Sequence, residues 1–338
     1  MIVPDTPAKH RRMMYRLLRK SVAVYVKMTK TDHYAVRCFS TVDLVPRDGW
    51  LHSGLATDDI FFRLDFLQVV EATLGRETPM EYFIVYDGDL APVAKGVLTQ
   101  INVDALSLAP VLVRRIVVAV RRLFPRFLRY QALACGFPFW GASSPLRLSD
   151  DVDFKRLAIA MGKEFNCRAR VTGSSVILIH DFTAFECKEL AAQLCNTGYL
   201  QASSLPDQIF PATFDSLQSW LAHMHPQYRQ RWGQVMERFS SSGLQMRHTD
   251  GNAPISELFN SDVHHQHVTI SKDWEAHFVD LPVDFFMKLS ECCPDAVRWS
   301  FSLDGDKVVG FVFGIMNQGR YYNMYLGHIP AYNESSEL

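Results

Sequence analysis

Residues 283–328 read VDFFMKLSECCPDAVRWSFSLDGDKVVGFVFGIMNQGRYYNMYLGH. The stretch divides into an amphipathic helical run, Val283–Cys292, and three strand-like runs, Val297–Leu303, Lys307–Met316 and Arg320–His328. Asp304-Gly305-Asp306 separates the first two strands, and an Asp-Gly pair between apolar alternations predicts a hairpin because glycine accepts positive φ without steric cost. The same order occurs earlier in the chain. A helix from Asp59 to Leu74, closed by Gly75, precedes strands Tyr82–Tyr86 and Pro92–Ile101, joined by Asp87-Gly88-Asp89, and then Leu128–Ala134. Leu64-Asp65-Phe66-Leu67 has its counterpart in Val283-Asp284-Phe285-Phe286. Helix, hairpin and strand occurring twice predicts two related units and a mixed α/β (α+β) fold, each unit a twisted mixed sheet flanked by helices.

Outward from these runs, the first unit continues through the loop Cys135–Ser144, a helix Asp151–Phe165, a β-rich run Val171–His180, a helix Ala184–Cys195 and a strand Tyr199–Ala202. The second unit has only Ile329–Leu338 in place of these elements, so the expectation is that it is incomplete, with an exposed sheet edge and apolar surface. Upstream, Tyr34–Val45 alternates as a strand. Phe214–Phe239 reads as a bridging helical region bent near Pro226, with Tyr228, Trp232, Val235 and Phe239 forming a buried stripe. Met246–Pro254 reads as a loop. The expected organisation is a basic segment 1–30, a first unit 31–212, a bridge 213–245 and a second unit 246–338.

The formal net charge of −1 conceals an asymmetry, because residues 1–30 carry eight bases against one acid. A basic arm of this kind points to an anionic partner or to a solvated arm with no dedicated partner. The run Ala105–Phe124 predicts an amphipathic helix, with Arg114, Arg115, Arg121 and Arg122 on one face and Leu112, Val113, Ile116, Val117, Val120 and Leu123 on the other. The arginines exclude a membrane span; together with the basic arm they suggest peripheral contact at a membrane surface, while the plainer reading is the solvated side of a helix packed on the sheet. No apolar stretch of a secretory leader follows the basic arm, and the seven cysteines are odd in number and form no Cys-x-x-Cys pair. Both features predict free thiols and a cytoplasmic location. A composition of 48% hydrophobic and 21% charged residues excludes a disordered or fibrous chain.

Several segments resemble one family. They are His277-Phe-Val-Asp-Leu-Pro-Val-Asp-Phe-Phe286, the turn and strand Leu303–Gly310, Tyr321-Tyr-Asn-Met-Tyr-Leu-Gly-His-Ile-Pro-Ala-Tyr-Asn333, Cys135-Gly-Phe-Pro-Phe139 and His225-Pro-Gln-Tyr-Arg-Gln-Arg231. From about residue 60 onward the chain resembles the GNAT-superfamily acyltransferases. Within them it resembles the BioF2-like acetyltransferase group, which is related to the tandem-unit FemAB peptidyltransferases. The resemblance implies tandem GNAT-like units and N-acyl transfer from a carrier thioester, with acyl-coenzyme A as co-substrate rather than a tightly bound cofactor. The acceptor would be an amine or hydroxyl on a small or lipid-linked molecule, and no DNA is implied.

The resemblance also assigns positions. The turn after Arg320–His328 would cradle the coenzyme A pyrophosphate, which points to Tyr332, Asn333, Ser335 and Ser336 as donor-binding residues. The family's Gln/Arg-x-x-Gly-x-Gly pattern is not present there: Asn333 and Ser336 occupy the polar and glycine positions, with Glu334 between them. That departure keeps open two alternatives, an aminoacyl-tRNA donor, as used by FemAB relatives, and a non-catalytic GNAT-like binding module. His328, Tyr325 and Tyr322 are the candidate acid–base residues. A histidine near its free pKa accepts the acceptor's proton, and a tyrosine can protonate the departing thiolate. Ordinary strand aromatics are the plainer reading of Tyr322 and Tyr325. Arg229 and Arg231 could hold a substrate phosphate or carboxylate through forked hydrogen bonds, beside Cys135 and Gly136 as further substrate contacts. His264-His265-x-His267 lacks ligands at metal spacing, so no metal is expected. Ser143-Ser144 lacks the Gly-x-Ser-x-Gly elbow of a serine hydrolase.

Overall fold

The computed structural model describes residues 34–55, 58–104, 111–139, 144–202, 209–210, 213–271 and 281–332, with only the backbone path of 111–114. The basic segment 1–30, Ser143, the His277–Asp280 part of the resemblance, and Asn333, Ser335 and Ser336 lie outside the described residues.

Two sheets organise the mixed α+β fold. The first has the order β1 (Ala35–Phe39), β2 (Met80–Tyr86), β3 (Pro92–Asp104), β4 (Arg129–Cys135) and β6 (Val176–Ile179). β3 is long enough to pair with β4 along its second half and with the short β5 (Leu146–Leu148) at Ala94–Gly96. Every pair is antiparallel except β4 with β6, which is parallel. The second sheet is wholly antiparallel, in the order β10 (Arg320–His328), β9 (Lys307–Asn317), β8 (Val297–Asp304) and β7 (Gln245–Asp250). The far edge of β10 has no strand partner among the described residues.

The recurrence anticipated from Val283–His328 is present and one element longer. β1, the helix α1 (Leu64–Leu74), β2, β3 and β4 are matched in order and pairing by β7, a helix at Val283–Cys292, β8, β9 and β10. β7 replaces the loop expected at Met246–Pro254; its side chains are mostly exposed and polar, so no apolar alternation marked it. The two Asp-Gly hairpins close differently. At Asp304 the turn is Gly305-Asp306, with Gly305 at φ 58°. At Asp87 the carboxylate accepts the N–H groups of Asp89 and Ala91 at 2.9 and 2.8 Å, and the positive φ, 65°, falls on Leu90.

Helices cover both faces of the first sheet. α1 lies on one face, where Phe66, Leu67 and Val70 meet Tyr82, Ile84 and Val97. The other face (Phe83, Val85, Leu98, Leu133, Cys135) packs with Leu157, Ala158, Met161 and Phe165. These belong to the helix after α2 (Val111–Arg121), namely α3 (Phe154–Thr172). α3 begins at the side-chain cap of Asp153 and stops at Gly173, φ 73°. The β-rich run expected at Val171–His180 therefore contracts to β6, and Tyr199–Ala202 is not a strand. Thr183 and Glu186 form a capping box that starts α4, the helical segment Ala184–Glu186, Cys187–Ala191 and Ala192–Cys195. The bridge is two helices, α5 (Leu217–His223) and α6 (Pro226–Ser241), the second opened by Pro226. Of the stripe expected there only Val235 is buried, and Tyr228 is 64% exposed.

The second sheet presents Trp299, Phe301, Phe311, Phe313 and Ile315 to α8 (Val283–Cys292), which follows α7 (Ser261–Ser271). α8 packs against α1, and the inner faces of both sheets join in one hydrophobic core. Phe139 meets Phe285 at 5.8 Å and Phe61 meets Tyr322 at 5.9 Å between ring centres across this junction.

Candidate functional site

The carboxyl ends of a parallel strand pair are a favoured place for a binding site, because the chain leaves both strands in the same direction. Here β4 ends at Cys135 and β6 at Ile179. Gly136 follows with φ 131°, and a β-carbon there would stand 2.7 Å from Cε1 of His180. His180 shares a 2.7 Å hydrogen bond between Nδ1 and the Asp181 carboxylate. The glycine therefore lets the imidazole lie directly over the backbone at the end of β4. Thr99 donates to the Gly136 carbonyl at 3.1 Å and fixes the turn from the next strand.

A buried polar cluster adjoins this end of the sheet. Glu186, 6% exposed, accepts the Thr183 N–H at 2.8 Å and is hydrogen-bonded to the hydroxyl of Ser144, itself 6% exposed. Arg147 projects from β5, pairs with the fully buried Asp59, and stands over the Phe62 ring at 4.6 Å. Burial pushes its guanidinium below the usual arginine range, opposed by the nearby Glu186 and Tyr322. Asp59 also accepts the Phe61 N–H at 2.9 Å and the Asn317 side-chain amide at 3.0 Å, so β9 of the second sheet completes the shell. Arg147, Glu186, Thr183, Ser149, Phe154 and Phe185 line a cavity of about 310 Å³. Its walls combine a desolvated cation, a carboxylate, a hydroxyl and two aromatic rings 5.8 Å apart. Such a lining can orient a polar head group and cover an apolar tail.

The sequence-derived candidates divide among several places. Cys135 and Gly136 lie at this end of β4, and Tyr322 approaches Arg147 from β10. Cys135 is fully buried, and burial pushes its thiol far above the usual range, which removes it as a nucleophile or an exposed substrate contact. Tyr322, Tyr325 and His328 do not converge. A bulge between Asn323 and Tyr325 turns Tyr325 inward, edge-on to Phe286 at 5.6 Å and His267 at 5.1 Å. Gly327 also faces inward, against Phe311 and His267, so His328 stands on the opposite face above Gly310. Burial pushes the Tyr325 hydroxyl well above the usual phenol range. His328 Nδ1 is buried without a hydrogen-bond partner among the described residues.

The remaining candidates are remote from one another. Tyr332 donates to Asp304 at 2.8 Å, at the β8–β9 hairpin. Arg229 caps α5 by donating to the Ala222 and Met224 carbonyls at 3.1 and 3.0 Å, and Arg231 is exposed on α6. His264 bonds the Leu281 carbonyl and His267 the Leu326 carbonyl, both at 2.7 Å, while His265 faces solvent. Among the described residues no group of three or more His, Cys, Asp or Glu side chains is placed to hold a metal ion, and no helix is long and apolar enough to cross a membrane.

Sequence reasoning placed Asp59 only at the start of a helix, and missed the roles of Arg147, Glu186, Ser144 and His180. The available signal was an arginine, Arg147, between two leucines in a strand-like stretch, where a charge is out of pattern unless it has a buried partner. No family model matches the chain, and no curated protein matches it.

Proposed function

We propose that the chain is an acyltransferase of the tandem GNAT type, moving an acyl group from a carrier thioester to an amine or hydroxyl. The observation that carries this reading is the twofold recurrence of strand, helix and three antiparallel strands, with the parallel β4–β6 pair opening beside a polar cavity. In this reading the cavity lined by Arg147, Glu186 and Phe185 takes the polar end of the donor or acceptor. Arg147, held in place by Asp59, offers guanidinium N–H groups to phosphate or carboxylate oxygens. The reaction exchanges the thioester C–S bond for a C–N or C–O bond, and the acceptor's proton ends on the thiolate.

A calorimetric titration with acetyl-, octanoyl- and palmitoyl-coenzyme A tests the reading. Saturable binding of at least one thioester is expected, weakened about tenfold or more by filling the cavity with Ser149→Trp. Binding of none of the three would sink the coenzyme A donor. A second reading, a non-catalytic binding module, is favoured by one observation: Tyr325 and His328 face opposite sides of β10. It predicts that any thioester that binds is never turned over with amine acceptors.

A further inference from the structure

The sequence of α2 leads to the expectation that Ile116, Val117, Val120 and Leu123 pack on the sheet. Of residues 115–130, only Val117 is buried. Ile116 is 58% exposed and Leu123 80%, and Val118, Phe124, Phe127 and Tyr130 are exposed with them. Apolar side chains this close together on a surface mark a contact site rather than scatter.

These side chains are held in place. The Arg121 guanidinium grips the Asp104 carboxylate at 2.7 and 2.8 Å and donates from Nε to the Phe127 carbonyl at 2.9 Å. The Leu123 and Phe124 N–H groups both donate to the Val120 carbonyl at 3.0 Å, and Phe127 N–H donates to the Phe124 carbonyl at 2.9 Å. The turn is thus bonded to the end of β3, and its apolar side chains project into water.

Charge identifies the partner. From Ala105 to Ser149 the chain contains no Asp or Glu and seven arginines. Arg115, Arg122 and Arg126 are exposed and have no ion pair among the described residues. Cations interleaved with large aliphatic and aromatic side chains match an anionic lipid surface, where the arginines meet phosphates and the apolar groups enter the acyl boundary. A nucleic acid would use the arginines and the aromatic rings, but it would leave Ile116 and Leu123 without a place to go.

We propose that α2 and the turn 122–128 form a docking surface for anionic bilayers, with Leu123, Phe124 and Phe127 inserted at the headgroup–acyl boundary and Arg115, Arg122 and Arg126 on lipid phosphates. The surface is independent of the acyl-transfer reading, and its test does not use activity. The full chain is co-sedimented with vesicles of phosphatidylcholine alone and with vesicles that also contain phosphatidylglycerol, at low and at high salt. Binding is expected only to the anionic vesicles. The combined variant Arg115→Gln/Arg122→Gln/Arg126→Gln should weaken it on the order of 100-fold. Leu123→Ser/Phe124→Ser/Phe127→Ser should weaken it more than about tenfold. Both sets alter exposed side chains, and circular dichroism confirms that they fold.

Absence of wild-type binding would overturn the proposal, as would equal binding to neutral vesicles. Binding that survives both variants would assign the contact elsewhere, to the basic segment 1–30 for example. Loss in the arginine variant alone, with the serine variant bound like wild type, would mean a purely anionic contact such as a nucleic acid and would equally overturn it.

Discussion

The side-chain amide of Asn317 donates to Asp59 Oδ1 at 3.0 Å, joining two residues 258 positions apart and tying the second sheet to the start of the first sheet's helical layer. Oδ1 of the same Asn317 side chain accepts the Ile60 N–H at 3.0 Å, so one asparagine satisfies both a carboxylate and a backbone donor in a buried position. Asp59 in turn neutralises Arg147 beside the cavity. The junction between the sheets and the candidate site are therefore one electrostatic unit.

From this follows a ranking of substitutions at the junction. Asp59→Ala leaves the partly buried Arg147 stripped of its carboxylate, at a cost of about 3 kcal/mol. Asn317→Ala leaves the carboxylate in place but deprives it and the Ile60 N–H of a partner, at about 2 kcal/mol. Urea unfolding of the two variants checks both magnitudes. A loss under about 1 kcal/mol in Asp59→Ala would show that the cluster is hydrated and not buried.

Lys95 gives a pH signature. It is 1% exposed, donates to the Trp50 carbonyl at 2.7 Å and lies 5.1 Å from the Trp50 ring centre. Burial pushes its ammonium down from 10.5 to about 8. The folded state thus releases this proton before the unfolded state does. Below about pH 8 both states hold the proton and the cost of burial is fully felt; between about 8 and 10.5 the unfolded state binds more, so this residue's contribution to stability rises with pH. Cys38 and Tyr199, both pushed up to about 12 by burial, act in the opposite sense above 9.0 and 10.0 respectively, overlapping the upper part of this range. The quantity to measure is therefore the stability difference between wild type and Lys95→Met. It should move in favour of wild type by on the order of 3 kcal/mol from pH 7 to pH 10.5. A difference that stays flat across that range would mean that Lys95 is solvated in the folded protein.

Elements with a local cause were legible in the sequence. The hairpin at Asp304, the stop at Gly75 and the helix before each hairpin all follow from turn chemistry and from apolar spacing within a few residues. β7 was not legible, because a mostly exposed strand with polar side chains carries no alternation and is held by its backbone ladder to β8. The site was legible only at Cys135, Gly136 and Tyr322. Asp59, Arg147 and Glu186 are isolated charges in unremarkable sequence, and only tertiary packing brings them together. The acid–base trio fails because Tyr325 and His328, three residues apart, face opposite sides of the strand, and the bulge at Asn323–Tyr325 puts Tyr322 on the side of Tyr325. In α2 the hydrophobic face was legible, but the period of a pattern does not say whether that face meets the sheet or solvent.

Gly136 and His180 form the last pair that can be tested by a double-mutant cycle. At φ 131° the backbone of Gly136 occupies a region that side chains rarely adopt, and a β-carbon would stand 2.7 Å from His180 Cε1 and 2.9 Å from Nε2. Gly136→Ala therefore incurs two costs, backbone strain and collision with the imidazole, together about 2–3 kcal/mol. His180→Ala removes a half-exposed ring and costs little alone, within about 0.5 kcal/mol. In the double variant only the strain remains, so a coupling of about 1 kcal/mol is expected from urea unfolding of all four proteins. If the two substitutions add without coupling, the ring swings freely away from the strand end, and the close seat of His180 over Gly136 is not a fixed part of the site. If coupling appears, the imidazole is held at the end of β4 by the missing side chain beneath it, where its bond to Asp181 sets its orientation.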